Sequence, residues 1–185
     1  RHGGERPQAG HGRVGGLRLR ALPSAPRQGN TMTPEQVLAA ARRKGARIAT
    51  AESCTGGLIV ARLTEIPGSS DAVDRGFVTY SNAAKTQMLG VSAATLASYG
   101  AVSEPVAREM AAGALARAEA QIAVAVTGIA GPGGSDHKPE GRVCFAIATP
   151  ERTTAETVEF GPLGRAKVRA ATVDHALALL GRALG

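Results

Sequence analysis

The sequence predicts a three-layer α/β/α sandwich on a mixed, mainly parallel β-sheet. Short uncharged runs rich in Val, Ile and Ala alternate with longer segments whose apolar residues recur at helical spacing, the pattern of strand–helix–strand units. Near the C-terminus two strand-like runs, residues 142–149 and about 153–160, follow each other across a short gap, which calls for an antiparallel pair. The 185 residues, 43% hydrophobic and 20% charged, suffice for one domain-sized core. Only 3% are aromatic and none is Trp, so small aliphatic side chains must fill it.

The elements follow in order. "TMTPEQVLAAARRKG" opens the folded part: Thr33 caps a helix, Pro34 takes its first position, Gln36 completes a capping box and Gly45 ends it. "ARIATA" is a short buried strand that runs into Glu52, Ser53 and Cys54. After Gly57, apolar residues at 58, 59, 60, 63 and 66 mark a helix stopped by Pro67 and Gly68, so "TAESCTGG" is a strand-to-helix turn. Residues 75–82 read as a second strand, followed by a short helix that carries Lys85 and ends at Gly90. Ser103 caps a helix that continues through Leu115, and "QIAVAVTG" is an uncharged strand. The Gly- and Pro-rich loop "IAGPGGSDHKPEG" comes next, then the strand pair and a closing helix over about 165–184.

The formal net charge of +7 is concentrated at one end. Residues 1–31 hold six Arg against Glu5, which is +5, and the remainder carries only +2. That segment reads as a disordered basic arm or an extension upstream of Met32, with the domain itself spanning 32–185. Nucleic-acid binding would have to come from the arm, because the rest has little excess charge and few aromatics to stack bases. No secretory leader pattern or 18-residue uncharged apolar stretch is present, so the expected location is the cytoplasm, with no membrane partner. Two cysteines, Cys54 and Cys144, demand no disulfide, and the four histidines lack metal-ligand spacing, so no metal site is expected.

In an open α/β sheet, ligands bind beyond the carboxyl ends of the strands, where helices begin with free N–H groups. Three stretches qualify: the Ser53 turn, the segment from Tyr80 to Lys85, and the loop from 127 to 135. A serine hydroxyl attacks only if a base takes its proton, and no histidine stands in a suitable motif. Lys85 is the candidate base if burial lowers its pKa, and Tyr80 could relay the proton or protonate a leaving group. N–H groups near Thr55 to Gly57 could serve an oxyanion or a phosphate. Blander readings stand beside these: Ser53 as a helix cap, Lys85 as a solvated charge, Cys54 as a small buried residue. The glycine loop matches neither a Walker A loop nor a dinucleotide fingerprint, and its glycines fit either a generic turn or close backbone approach to a ligand. The residues alone thus support an α/β domain with a small-ligand site at the strand ends.

Four stretches, "TAESCTGGLIVARLTEIPGSS", "GFVTYSNAAKTQMLGV", "GAVSEPVAREMAAGAL" and "VAVTGIAGPGGS" with "KPEGRVCFAIAT", resemble the C-terminal domain of the CinA family over about residues 33–184. The resemblance is to the family's stand-alone form. It implies hydrolysis of the carboxamide of nicotinamide mononucleotide to nicotinic acid mononucleotide and ammonia, without metal or cofactor, in a dimer or larger homo-oligomer. It makes Ser53 the nucleophile and Tyr80 with Lys85 the proton-handling pair. The substrate's phosphate would then suit Thr55, Gly56 and Gly57, or Thr127, Gly128, Gly131, Gly133, Gly134 and Ser135. Glu140, where many relatives have a valine-like residue, and Cys144, where an aromatic is common, depart from the pattern and bear on the pocket. A non-catalytic nucleotide-binding or regulatory domain is the alternative expectation.

Overall fold

The computed structural model describes residues 31–135 and 137–185, so the expected basic arm falls almost wholly outside the described residues. Helix α1 (Pro34–Arg43) begins with the anticipated capping box: the Thr33 hydroxyl accepts from the Gln36 N–H, and the Gln36 side chain accepts from the Thr33 N–H. Strand β1 (Ile48–Glu52) follows, then α2 (Leu58–Thr64), a 3₁₀ turn (Ser69–Asp71) and β2 (Val73–Val78). Helices α3 (Asn82–Leu89), α4 (Ala93–Tyr99) and α5 (Glu104–Ala116) precede β3 (Ile122–Gly128), the strands β4 (Arg142–Ala148) and β5 (Thr153–Glu159), and α6 (Arg165–Leu184).

The five strands lie in the order β2-β1-β3-β4-β5. β1 pairs parallel with β2 and β3, while β4 runs antiparallel to both β3 and β5. Four strands therefore point one way and β4 alone is reversed, the expected mixed sheet. Two expectations shift. The second strand spans 73–78 rather than 75–82, because Thr79 leaves the ladder and Tyr80 to Asn82 turn into α3. Helix α4 was not anticipated; none of its residues is buried, so it has no apolar stripe to betray it, only a Ser92 cap.

Side-chain alternation gives the two sheet faces different characters. Ile48, Val124, Val126, Val143, Phe145 and Ile147 point to one face and pack under α1, α2 and α6. Ala49, Ala51, Ala123, Ala125, Cys144, Ala146 and Ala148 point to the other, under α5. A floor of small side chains lets α5 lie close on the central strands, with Val106, Met110 and Ala114 fully buried against it. Three helices over the bulky face and a closely seated helix over the small one make the three layers.

Gly113 continues the same theme on the outer side of α5. A Cβ there would run into the Leu89 carbonyl at the end of α3. Gly113→Ala is therefore expected to destabilise the fold by about 1–3 kcal/mol, as overpacking against backbone does. Calorimetry should show a fall in Tm of several degrees; an unchanged Tm would mean that α3 and α5 part without cost.

Candidate active site

Registry brings three strand ends to one edge, since Glu52 lies opposite both Val78 on β2 and Val126 on β3. The Ser53 N–H donates to the Val126 carbonyl (3.1 Å) and the Thr79 N–H donates to the Glu52 carbonyl (2.8 Å), which holds the chain just beyond the strands. Ser53, Thr79 and Thr127 so become neighbours in space.

The turn from 53 to 57 is built around Glu52. Its fully buried carboxylate accepts N–H donors from Gly57 (3.1 Å), Ile59 (3.0 Å) and Val60 (2.9 Å), and the Thr55 hydroxyl at 2.6 Å. An internal carboxylate thus caps α2 and neutralises its positive end. Ser53 is not the cap; that position is Gly57, in the left-handed region at φ 103°. The expectation that this turn offers free N–H groups and hydroxyls needs correction at the Gly56 and Gly57 N–H groups and at the Thr55 hydroxyl. The Gly57 N–H is committed to Glu52, that of Gly56 to the Ser53 carbonyl, and the Thr55 side chain is buried.

Freed from capping, the Ser53 hydroxyl accepts a hydrogen bond from Lys85 Nζ at 2.8 Å. Lys85 also donates to the Thr79 carbonyl at 2.9 Å and is only 1% exposed, so it is no solvated surface charge. Burial pushes its pKa down to about 8. Among the described residues no carboxylate is hydrogen-bonded or ion-paired to this ammonium. A hydroxyl touching an amine with a lowered pKa is an arrangement that can work as a nucleophile with its base. Cys54 is the opposite case, because burial pushes its thiol up to about 11 and disfavours the thiolate.

Tyr80 reaches the same cavity by a different route. Its hydroxyl accepts from Arg165 Nη2 at 2.8 Å and the residue is 61% exposed, so the phenol stands at the rim and is not hydrogen-bonded to Lys85. The cavity, about 260 Å³, is lined by Ser53, Cys54, Tyr80, Asn82, Lys85, Thr127, Gly128 and Ser135, with Ala101, Val102, Ile129, Ala130, Lys138 and Arg165. Of the loop residues anticipated as ligand contacts, Thr127, Gly128 and Ser135 line it. Gly131, Gly133 and Gly134 do not: they shape the loop behind, where Gly131 gives its carbonyl to Arg165 (2.9 Å) and Gly133 its N–H to Glu140 (2.7 Å). Cys144 lies on the α5 face of the sheet and does not line this cavity. Among the described residues the lining carries three cationic side chains and no acid.

Sequence reasoning overlooked Glu52, Lys138, Arg165 and Arg169. Arg169 donates to the Cys54 and Thr55 carbonyls (3.2 and 3.1 Å) and ties α6 to the serine turn. The signal was present: α6 opens with Arg165, Lys167 and Arg169 and no acid in its first turn, against the helix dipole. Arg165 and Arg169 spend their guanidinium groups on partners outside the helix. Glu52, the sole charge of a fully buried strand, was equally visible. Among the described residues no group of three or more His, Cys, Asp and Glu side chains is placed to hold a metal ion, and no helix is long and apolar enough to cross a membrane.

Fold and site together define a mixed-sheet α/β domain with a buried Ser–Lys pair at the floor of a cationic cavity. The chain belongs to the CinA C-terminal domain family, whose model matches residues 30–184. It is 54% identical over 146 residues to a CinA-like protein of Mycolicibacterium gilvum, covering 78% of this chain and 35% of that protein. It thus spans about a third of the length of such relatives. Over 116 residues it is 60% identical to the nicotinamide-nucleotide amidohydrolase PncC of Escherichia coli, covering 62% of this chain and 70% of that one. The crystal structure of competence/damage inducible protein CihA from Agrobacterium tumefaciens superposes with a TM-score of 0.75 at 50% identity, over 83% of this chain and 98% of that one.

Proposed function

We propose that this domain hydrolyses the carboxamide of nicotinamide mononucleotide, releasing ammonia and nicotinic acid mononucleotide, and that it does so in the cytoplasm. The observation that carries this reading is the 2.8 Å contact between Ser53 Oγ and the buried Lys85 amine. The similarity to the Escherichia coli amidohydrolase supports the substrate.

In this reading neutral Lys85 takes the Ser53 proton as Oγ attacks the carboxamide carbon, giving a tetrahedral intermediate. The resulting ammonium returns its proton to the departing nitrogen, which leaves as ammonia. Water then attacks the acyl-enzyme, with Lys85 again accepting the proton, and the carboxylic acid and free serine result. With a pKa of about 8, about one lysine in ten is neutral at pH 7, enough for a base whose conjugate acid must also donate. Lys138 and Arg165, with no acid beside them among the described lining residues, suit the substrate's phosphate, and Arg165 keeps Tyr80 at the entrance.

The test is ammonia release from nicotinamide mononucleotide by the purified full chain with chelator present. Stoichiometric ammonia and nicotinic acid mononucleotide are expected. A folded protein that binds the nucleotide without turnover would favour the regulatory-domain reading.

A further inference from the structure

We propose that Glu140 is a positioning residue that fixes the cavity rim around Arg165 for the anionic end of the substrate; this rests on the amidase reading for the identity of that substrate. Glu140 stands where the family resemblance implied a valine-like residue, and here its carboxylate joins two distant segments. Oε2 accepts from the Gly133 N–H at 2.7 Å and Oε1 accepts from the Gly164 N–H at 2.9 Å. Gly164 immediately precedes Arg165, and Arg165 Nη1 donates back to the Gly131 carbonyl at 2.9 Å.

These bonds close a ring through Glu140, the glycine loop, Arg165 and the start of α6. Among the described hydrogen bonds, those of Glu140 and Arg165 are the links between the loop and that helix. The loop needs such a link. Gly131, Gly133 and Gly164 all have positive φ (88°, 77° and 88°), conformations that glycine samples freely and leaves as freely. The fit is also close, because a Cβ on Gly131 would run into the Glu140 side chain. At α6 the carboxylate holds the N–H of the cap residue Gly164 and places a negative charge beside the cationic first turn. Arg165 is exposed, and an exposed arginine loses rotamer freedom when it grips a ligand; a ring that holds it in place beforehand lowers that cost. The Ser53–Lys85 pair is held by Thr79 and takes no part in the ring.

The experiment uses the full chain carrying Ser53→Ala, so that bound nucleotide is not consumed, with and without Glu140→Ala. Glu140→Ala is expected to raise the Kd for nicotinamide mononucleotide about tenfold and to change that for nicotinamide riboside, which lacks the phosphate, less than twofold. In an Arg165→Ala background Glu140→Ala should cost nothing further, since its effect runs through that side chain. Hydrogen exchange should quicken in peptides covering 131–135 and 164–168 and stay unchanged over 50–55 and 79–86. Glu140→Gln, which keeps one acceptor, should fall between. An unchanged Kd, an additive loss in the Arg165→Ala background, or unchanged exchange at 131–135 and 164–168 would overturn the proposal. Should wild type release no ammonia from the mononucleotide, the amidase reading fails by itself, and the exchange comparison still decides whether Glu140 holds the rim.

Discussion

Ser53→Ala is expected to cut ammonia release from nicotinamide mononucleotide by at least about 10³-fold, the scale on which a covalent nucleophile is felt. Its Tm should stay within a degree or so of wild type. The backbone of the turn is held by Glu52, and the hydroxyl's described bond is the one from Lys85, so its removal leaves the turn intact. Cys54→Ala provides the contrast. With its thiol pushed up to about 11, Cys54 contributes little thiolate at neutral pH, and the variant should retain most of the turnover. Turnover that survives Ser53→Ala but dies with Cys54→Ala would reverse the assignment. Assay of both variants beside wild type, with circular dichroism to confirm folding, separates the outcomes.

Lys85→Met is expected to abolish turnover without lowering stability, an unusual pairing that distinguishes a functional buried lysine from a structural one. Burial lowers the Lys85 pKa from 10.5 to about 8, which corresponds to a penalty on the order of 3 kcal/mol for the charged form at neutral pH. Methionine of similar length removes that penalty but leaves the Thr79 carbonyl without its donor, at a cost of about 1–3 kcal/mol. The two terms offset, so Tm should be equal or higher. The pH dependence has a definite sign. Because the folded value lies below the unfolded one, the unfolded chain binds more protons between about pH 8 and 10.5. Wild-type stability therefore gains a rising contribution with pH across that window, and Lys85→Met should lack it. The rate should respond as well: kcat/KM is expected to climb with pH and level off above about pH 8 as the free amine accumulates. A rate already flat from pH 6 upward would remove Lys85 from the role of base.

The helix boundaries were largely legible because their signals are local. The capping box at Thr33 and Gln36, the Ser103 cap and the stops at Gly45 and Gly90 involve contacts within a turn, and each element end falls close to where those residues place it. The strand following Ala72 was read too long because its end depends on a partner: Thr79 turns out of the ladder while its N–H is held by Glu52, 27 residues away. α4 escaped because a helix with no buried residue carries no periodicity.

The site divides along the same line. The strand-to-helix turn, the lack of a histidine base and the family motifs made Ser53 and Lys85 candidates before any coordinates. What the sequence by itself determined was an α/β domain, its strand ends as the place of the candidate site, and a serine short of a conventional base. Only the tertiary structure decided that Glu52 would use up the N–H groups of α2, that Tyr80 would pair with Arg165, and that Lys85 would lie buried on Ser53. The physical reason is that pKa, hydrogen-bond saturation and charge complementarity are properties of neighbourhoods. Those neighbourhoods join residues 32, 85 and 115 positions apart in the chain, and no local pattern encodes them.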